Sequence, residues 1–121
     1  MQKENQIVDK SFYVARWIVR IYKYLCETKR EYILSKQLLR SGTSIGANIH
    51  EAIRAQSRAD FFAKMYIALK ESSETEYWLK LLFAENYLPE NDFNQISVAV
   101  NEIICILVKI TKKQKEEKSL K

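Results

Sequence analysis

Residues 93–110 read FNQISVAVNEIICILVKI, and the apolar side chains Phe93, Ile96, Val100, Ile103, Leu107 and Ile110 return at alternating intervals of three and four. That rhythm is one face of a helix with about 3.6 residues per turn. No polar residue breaks it, so the segment is predicted to be a core-facing helix. Its start is marked by Pro89, which lacks a backbone donor that the first turn leaves unused, and by Glu90 and Asp92, whose charges suit the positive end of the helix dipole.

Working back, a third helix is predicted from the Ser57 cap, with Asp60 three residues later, to about Asn86. Its stripe is Phe62, Met65, Leu69, Ser72, Glu76, Leu79 and Phe83. A second helix is predicted from an Ser35 cap to about Ala55, with Leu38, Gly42, Ile45, Ile49 and Ala52 inward. Gly42 and Gly46 lie one turn apart, and each costs a helix about 1 kcal/mol relative to alanine, so close approach of another helix is the expected reason for them.

The first helix is predicted over Ile7–Glu27, with Val8, Phe12, Ala15, Val19, Tyr22 and Cys26 as its core stripe. A second apolar line, Val14, Trp17, Ile21 and Tyr24, runs beside it, and Ile18 and Leu25 fall between the two. Only Asp9, Arg16, Arg20, Lys23 and Glu27 form a polar strip. A helix apolar over most of its circumference is expected to be covered on more than one side, so Val14, Trp17, Ile21 and Tyr24 are assigned to an oligomer interface.

Four helices with short connections predict an all-α, antiparallel up-down-up-down four-helix bundle. The whole chain, 1–121, is expected to form one such domain, with 112–121 (KKQKEEKSLK) as a charged tail. Two glycines and one proline leave little material for long loops. Apolar runs are interrupted by charges before the roughly 20 residues of a membrane span, and the amino end lacks a secretory pattern. The expectation is a cytoplasmic protein with no membrane partner.

Catalytic patterns are not found in this sequence. A di-iron bundle needs Glu three residues before each ligand histidine, whereas the single histidine, His50, follows Ala47 at that distance. Gly42 and Gly46 are too close for a phosphate-cradling loop, and Ala47 stands where that loop needs Lys. Arg40 precedes His50 by ten residues, too far for the Arg and His spacing of small helical ribonucleases. Cys26 and Cys105 sit singly in apolar patterns and read as buried free thiols. The sequence therefore predicts no catalytic residue, metal or cofactor. Asn48 and Glu51 on the second helix and Glu76 on the third read as a polar layer that fixes helix register.

Charge is unevenly distributed. The chain carries a net +5. Residues 1–60 hold 11 Lys/Arg against 6 Asp/Glu, residues 61–111 hold 4 against 7, and residues 112–121 hold 5 against 2. Arg16, Arg20 and Lys23 on the first helix, with Lys36, Arg40, Arg54 and Arg58 along and just past the second, predict a basic face. Such a face binds RNA or DNA through phosphates, with little sequence preference. A merely solvated face is the competing reading, and the acidic third and fourth helices invite a basic neighbour, of which a second copy is the most economical.

The stretches SKQLLRSGTSIGANIHEAIRAQS (Ser35–Ser57) and DFFAKMYIALKESSETEYWLKLL (Asp60–Leu82) closely resemble the 23S rRNA intervening-sequence proteins. Gln-Leu-x-Arg, Ser-Ile-x-x-Asn-Ile-x-Glu and Ala-Leu-x-Glu-x-x-Glu-Thr-x-Tyr-Trp-Leu occur in family order across about 48 of 121 residues. The resemblance implies an antiparallel four-helix subunit assembled into a ring-like homopentamer. Some members of that family are encoded within insertions in 23S rRNA genes, a matter of gene location and not of ribosomal membership. A relative, the accessory variability determinant of diversity-generating retroelements, forms a basic pentameric barrel that binds reverse transcriptase and nucleic acid. The resemblance thus also implies a second possible role, that of a protein adaptor docking a reverse transcriptase. This chain departs from the pattern in lacking the proline often found between helices one and two.

Overall fold

The computed structural model describes residues 2–119, with side chains from Gln6 onward. Four helices follow one another: α1 (Gln2–Glu27), α2 (Leu34–Ile53), α3 (Arg58–Ala84) and α4 (Glu90–Ser119). Contacts join α1 to α2, α2 to α3, α3 to α4 and α4 to α1. The helices thus stand at the corners of a square, in chain order.

Direction follows from the pairings. Gly42 meets Ile18 and Gly46 meets Ser11; Arg40 pairs with Glu71, and Glu51 with Lys64; Phe83 stacks on Phe93, while Tyr66 reaches Thr111. In every pair of helices the number falls on one as it rises on the other, the mark of antiparallel neighbours. The up-down-up-down bundle is the observed fold.

Helix ends have local causes. Ser57 accepts a hydrogen bond from the Asp60 backbone N–H at 3.0 Å and starts α3. The Pro89 carbonyl accepts from the Phe93 N–H, so α4 begins at Glu90. The start of α2 differs from expectation: Ser35 lies inside the helix, buried, and the cap is Glu31. Its carboxylate accepts from the backbone N–H groups of Ile33, Leu34 and Ser35 at 3.2, 2.9 and 2.7 Å. Arg30, at φ 56°, turns the chain so that Glu31 can reach them. The expected tail does not separate from the bundle but continues α4 to Ser119; residues 120 and 121 lie outside the described residues.

The core is contributed by all four helices. On α2 the expected stripe of Leu38, Gly42, Ile45, Ile49 and Ala52 is buried. On α4, Ile96, Val100, Ile103 and Leu107 are buried as expected, with Phe93 and Ile110 packed at the margin. On α3, Leu69, Glu76 and Phe83 are only half-buried, and Ala68, Thr75 and Leu82 complete the core instead.

The stripe on α1 is displaced by one residue throughout. Ile7, Ser11, Val14, Ile18, Ile21 and Leu25 are buried, whereas Phe12 is exposed and Val8, Ala15, Val19, Tyr22 and Cys26 are half-buried. Two heptad stripes compete on a helix this apolar, and their spacings are identical. The polar strip decides between them, because the stripe directly opposite Arg16, Arg20 and Lys23 is the one that reaches the interior. Val14 and Ile21, assigned from sequence to an oligomer interface, are consequently core residues of the single chain; Trp17 and Tyr24 remain half-buried on its edge. Cys105 also departs from expectation, since it is exposed.

By length and composition α4 holds an apolar window sufficient to cross a membrane, contrary to the sequence expectation. In this fold one side of it supplies the core, and only 22% of the window is buried. Phe93, Ala99, Ile104, Ile106 and Ile110 pack at the margin of the core, and Val98 and Val108 are exposed.

Candidate nucleic-acid interface

Arg16, Arg20 and Lys23 project from α1 directly away from the core, all exposed and none in an ion pair with another described residue. Lys36 and Arg54 are likewise exposed and unpaired among the described residues. They share the outward side of α2, but their 18-residue separation places them about 27 Å apart along the axis. The basic surface is therefore spread over two helices and not gathered into a pocket.

The other two expected members are committed elsewhere. Arg40 donates through Nη1 to Glu71 at 3.2 Å and through Nη2 to Glu74. The Trp78 indole N–H donates to the same Glu74 carboxylate at 2.9 Å. The Trp78 and Arg40 donors hold the Glu74 carboxyl below the usual carboxylate range. Arg58 donates through Nε and Nη2 to Glu117 at 2.9 and 2.6 Å, with its guanidinium 5.2 Å from the centre of the Phe62 ring. Both guanidinium forks are occupied by carboxylates, which corrects the expectation of seven available cations to five. Arg40, Glu71, Glu74 and Trp78 all fall inside the sequence motifs quoted above, so those motif positions form a clasp between α2 and α3.

The expected polar layer is also placed differently. Asn48 donates to the Ser44 carbonyl of its own helix at 2.8 Å, and Glu51 is exposed and paired with Lys64 at 3.0 Å. Glu76 is half-buried with no hydrogen-bond or ion-pair partner among the described residues. The actual layer is made of small hydroxyls. Thr75 Oγ1 lies 3.0 Å from Ser41 Oγ and 2.8 Å from the Glu71 carbonyl oxygen, so one proton goes to Glu71 and Ser41 supplies the other. Ser72 donates to the Ala68 carbonyl at 2.8 Å. Hydroxyls of this size fit between closely packed helices where amides and carboxylates do not.

Sequence reasoning missed further exposed cations. Lys29 and Arg30 occupy the α1–α2 turn, and Lys109, Lys112, Lys113, Lys115 and Lys118 line the last turns of α4. The segment charge of 112–121 signalled all of the latter group but Lys109; their position on a helix was needed to make them a surface.

Two grooves open on α1. One, of about 450 Å³, lies between α1 and α2 and is lined mainly by Val8, Phe12, Ala15, Gly46 and Ala47, with His50 and Glu51 at its rim. His50 is exposed, and Glu51 is engaged by Lys64, so the rim does not assemble an acid and base acting on one point. The other, of about 280 Å³, lies between α1 and α4 beside Tyr13 and the Lys10–Glu102 pair. Among the described residues no cluster of three or more His, Cys, Asp or Glu could hold a metal ion.

Comparison with known proteins agrees with this architecture. Residues 3–109 match the model for the 23S rRNA-intervening sequence proteins. The chain is similar to a crystal structure of a protein with unknown function from the S23 ribosomal protein family of Bacteroides thetaiotaomicron VPI-5482. The two are 51% identical with a TM-score of 0.88, over 91% of this chain and 98% of that one. No curated protein matches.

Proposed function

Since this chain belongs to the 23S rRNA-intervening sequence protein family, we propose that it is a non-catalytic, cytoplasmic, homo-oligomeric bundle, pentameric as the resemblance implies, that holds RNA or DNA nonspecifically on a basic surface. The observation that carries this reading is the set of five exposed cations, Arg16, Arg20, Lys23, Lys36 and Arg54, without carboxylate partners among the described residues. On the same molecule Arg40 and Arg58 are neutralised by Glu71, Glu74 and Glu117. Cations without intramolecular partners are the ones free to displace counterions from a phosphate backbone.

Self-association is supported by apolar surface outside the core. Phe12 and Tyr13 are 66% and 54% exposed on α1, and Val98 and Val108 are 64% and 45% exposed on α4. Exposed large apolar side chains on two helices are what a partner surface would cover.

A titration of fluorescent RNA and DNA oligonucleotides across salt tests the nucleic-acid reading. Affinity is expected to fall steeply with salt. Replacing Arg16, Arg20 and Lys23 together by Glu should lower the slope of log K against log salt by about 2–3, in line with roughly 0.7–0.9 per phosphate contact. Absence of binding at low salt, or affinity indifferent to salt, would sink the proposal.

A further inference from the structure

The turn between α1 and α2 is shaped by some of its residues and displays others. Thr28 and Lys29 donate from their backbone N–H groups to the Tyr24 carbonyl at 2.8 and 3.3 Å, and the Glu31 N–H donates to the Leu25 carbonyl at 2.9 Å. Arg30 at positive φ and the Glu31 carboxylate on the N–H groups of Ile33, Leu34 and Ser35 complete the reversal. The side chains of Tyr32 and Ile33 take no part in these bonds, yet they are 50% and 75% exposed in the same turn. No other large apolar side chain among the described residues is as exposed as Ile33. Apolar side chains scattered singly over a surface are ordinary, but these two adjoin one another in a pinned turn whose geometry does not use them. Tyr32 is also the one exposed tyrosine whose ring meets no other ring among the described residues: Tyr13 lies edge-on to Trp17, and Tyr77 to Trp78.

Cations gather round this pair. Lys23 is four residues from the end of α1, Lys29 and Arg30 are in the turn itself, and Lys36 is in the first turn of α2. At 1.5 Å of rise per residue, Lys23 and Lys36 lie within about 6 Å of the helix ends that flank the turn. All four are exposed, with no ion-pair partner among the described residues. Of the two carboxylates in the same stretch, Glu31 is occupied by the backbone of α2, which leaves four cations against the exposed Glu27. Because Glu31 already fills the donors at the α2 N-terminus, an anion at this end is held by side chains and not by the helix.

Exposed cations around an unpartnered ring are what a single-stranded nucleic acid uses: the cations neutralise phosphates, and an unpaired base stacks on the ring. A duplex keeps its base faces inside its own stack, so it can use the cations but not the ring. A lipid surface fits less well. The antiparallel fold puts the α3–α4 turn at the same end of the bundle, with Glu85 and Glu90 exposed. A flat anionic membrane reaching Tyr32 and Ile33 faces those carboxylates as well, whereas a single strand can follow the α1–α2 side alone.

We propose that the α1–α2 turn is a single-strand contact of the nucleic-acid surface, in which Tyr32 stacks on an unpaired base, Ile33 packs beside it, and Lys23, Lys29, Arg30 and Lys36 hold the flanking phosphates. The proposal rests on the nucleic-acid reading above and adds the class of strand. The turn is already fixed by its backbone bonds, so little ordering is lost on binding.

The test titrates the full-length protein with fluorescent oligo-dT and oligo-U and with a duplex of equal length, circular dichroism verifying the bundle in each variant. On charge alone the duplex should bind at least as well, since its phosphates are denser. Tighter binding of the single strands is expected, and the tighter of the two distinguishes DNA from RNA as the source. Tyr32→Ala should weaken single-strand binding about 10-fold, within the range for one base stacked on an aromatic side chain. It should leave duplex binding and the salt slope unchanged, and Tyr32→Phe, which keeps the ring, should bind as the wild type does. Lys29→Ala with Lys36→Ala should lower the salt slope for strand and duplex alike. Salt-dependent binding with no preference for single strands, or a Tyr32→Ala loss equal on strand and duplex, overturns the stacking contact and leaves the basic surface standing. No binding of any oligonucleotide at low salt removes both readings, and if the protein then sediments with phosphatidylglycerol vesicles and Ile33→Ser releases it, the turn belongs to a lipid surface.

Discussion

Gly42 sits where two helices come closest. A Cβ there would overlap Ile18 at 2.7 and 2.8 Å from its Cγ atoms, which are held in the core and have no room to retreat. Gly42→Ala is therefore expected to destabilise the fold by about 1–3 kcal/mol through overpacking. Gly46→Ala should be neutral or stabilising by up to about 1 kcal/mol, as helix propensity gains what glycine gave away. Denaturant melts of the two variants under identical conditions check the contrast, and equal losses would refute it. Glu31 is the second decisive residue. Partial burial pushes its carboxyl upward, but the hydrogen bonds from Leu34, Ser35 and Ile33 outweigh this and hold it below the usual range. A depressed folded-state pKa means that the stabilisation is present above the unfolded carboxylate value and is lost as pH falls through the folded one. Glu31→Gln should cost about 1 kcal/mol at neutral pH, by analogy with loss of a helix cap. Its thermal midpoint should also fall less than that of wild type between about pH 5 and pH 3; parallel curves would show that Glu31 is not the group responsible. Both residues are visible in the sequence, but only the glycine announces itself. Glu31 was hidden because it caps from outside the helix, while Ser35, the residue type expected to cap, is one turn further in.

Elements were legible to different degrees. The inward faces of α2 and α4 could be read directly, because each carries one dominant apolar stripe at helical spacing. On α1 two stripes of equal spacing compete, and the expected one lies at the edge: Val14, Ile18 and Ile21 are core residues, while Phe12 is exposed and Ala15 and Val19 are half-buried. The polar strip of Arg16, Arg20 and Lys23 held the answer. On α3, Ser72 and Thr75 interrupt the apolar pattern, yet both are buried and their hydroxyls are satisfied by Ala68, Glu71 and Ser41. The α2–α3 contact thus depends on a hydroxyl pair at its centre. Thr75→Val retains the shape but removes the bond to Ser41, and is expected to cost about 1 kcal/mol. In a double-mutant cycle with Ser41→Ala the coupling should be about 0.5–1 kcal/mol. Strict additivity would show that the two hydroxyls act independently. By comparison the exposed clasp of Arg40 with Glu71 and Glu74 is expected to contribute less than its geometry suggests, because solvent screens it.

At the scale of the whole molecule, charge and apolar surface are arranged by the bundle and not by the chain's order. Cations at 16, 20 and 23 and those at 36 and 54 become two outward stripes on adjacent helices, while Arg40 and Arg58, indistinguishable from them in sequence, are drawn into contacts with residues 31 and 59 positions away. No count of charges separates the two groups, since an ion pair between helices is a fact of distance. The same holds for the groove between α1 and α2 and for the exposed Val98 and Val108 on α4, which are surfaces only because the helices stand in a square. The salt dependence described above addresses the free cations. What the sequence alone determined is the number, type and order of the helices and the antiparallel bundle they make, because periodicity, caps and short connections are local and act over a few residues. Which stripe of α1 faces inward, which cations stay free and where apolar surface is left over were decided by tertiary structure. Those outcomes depend on which side chains meet across helices, and residues far apart in the chain determine that only once it has folded.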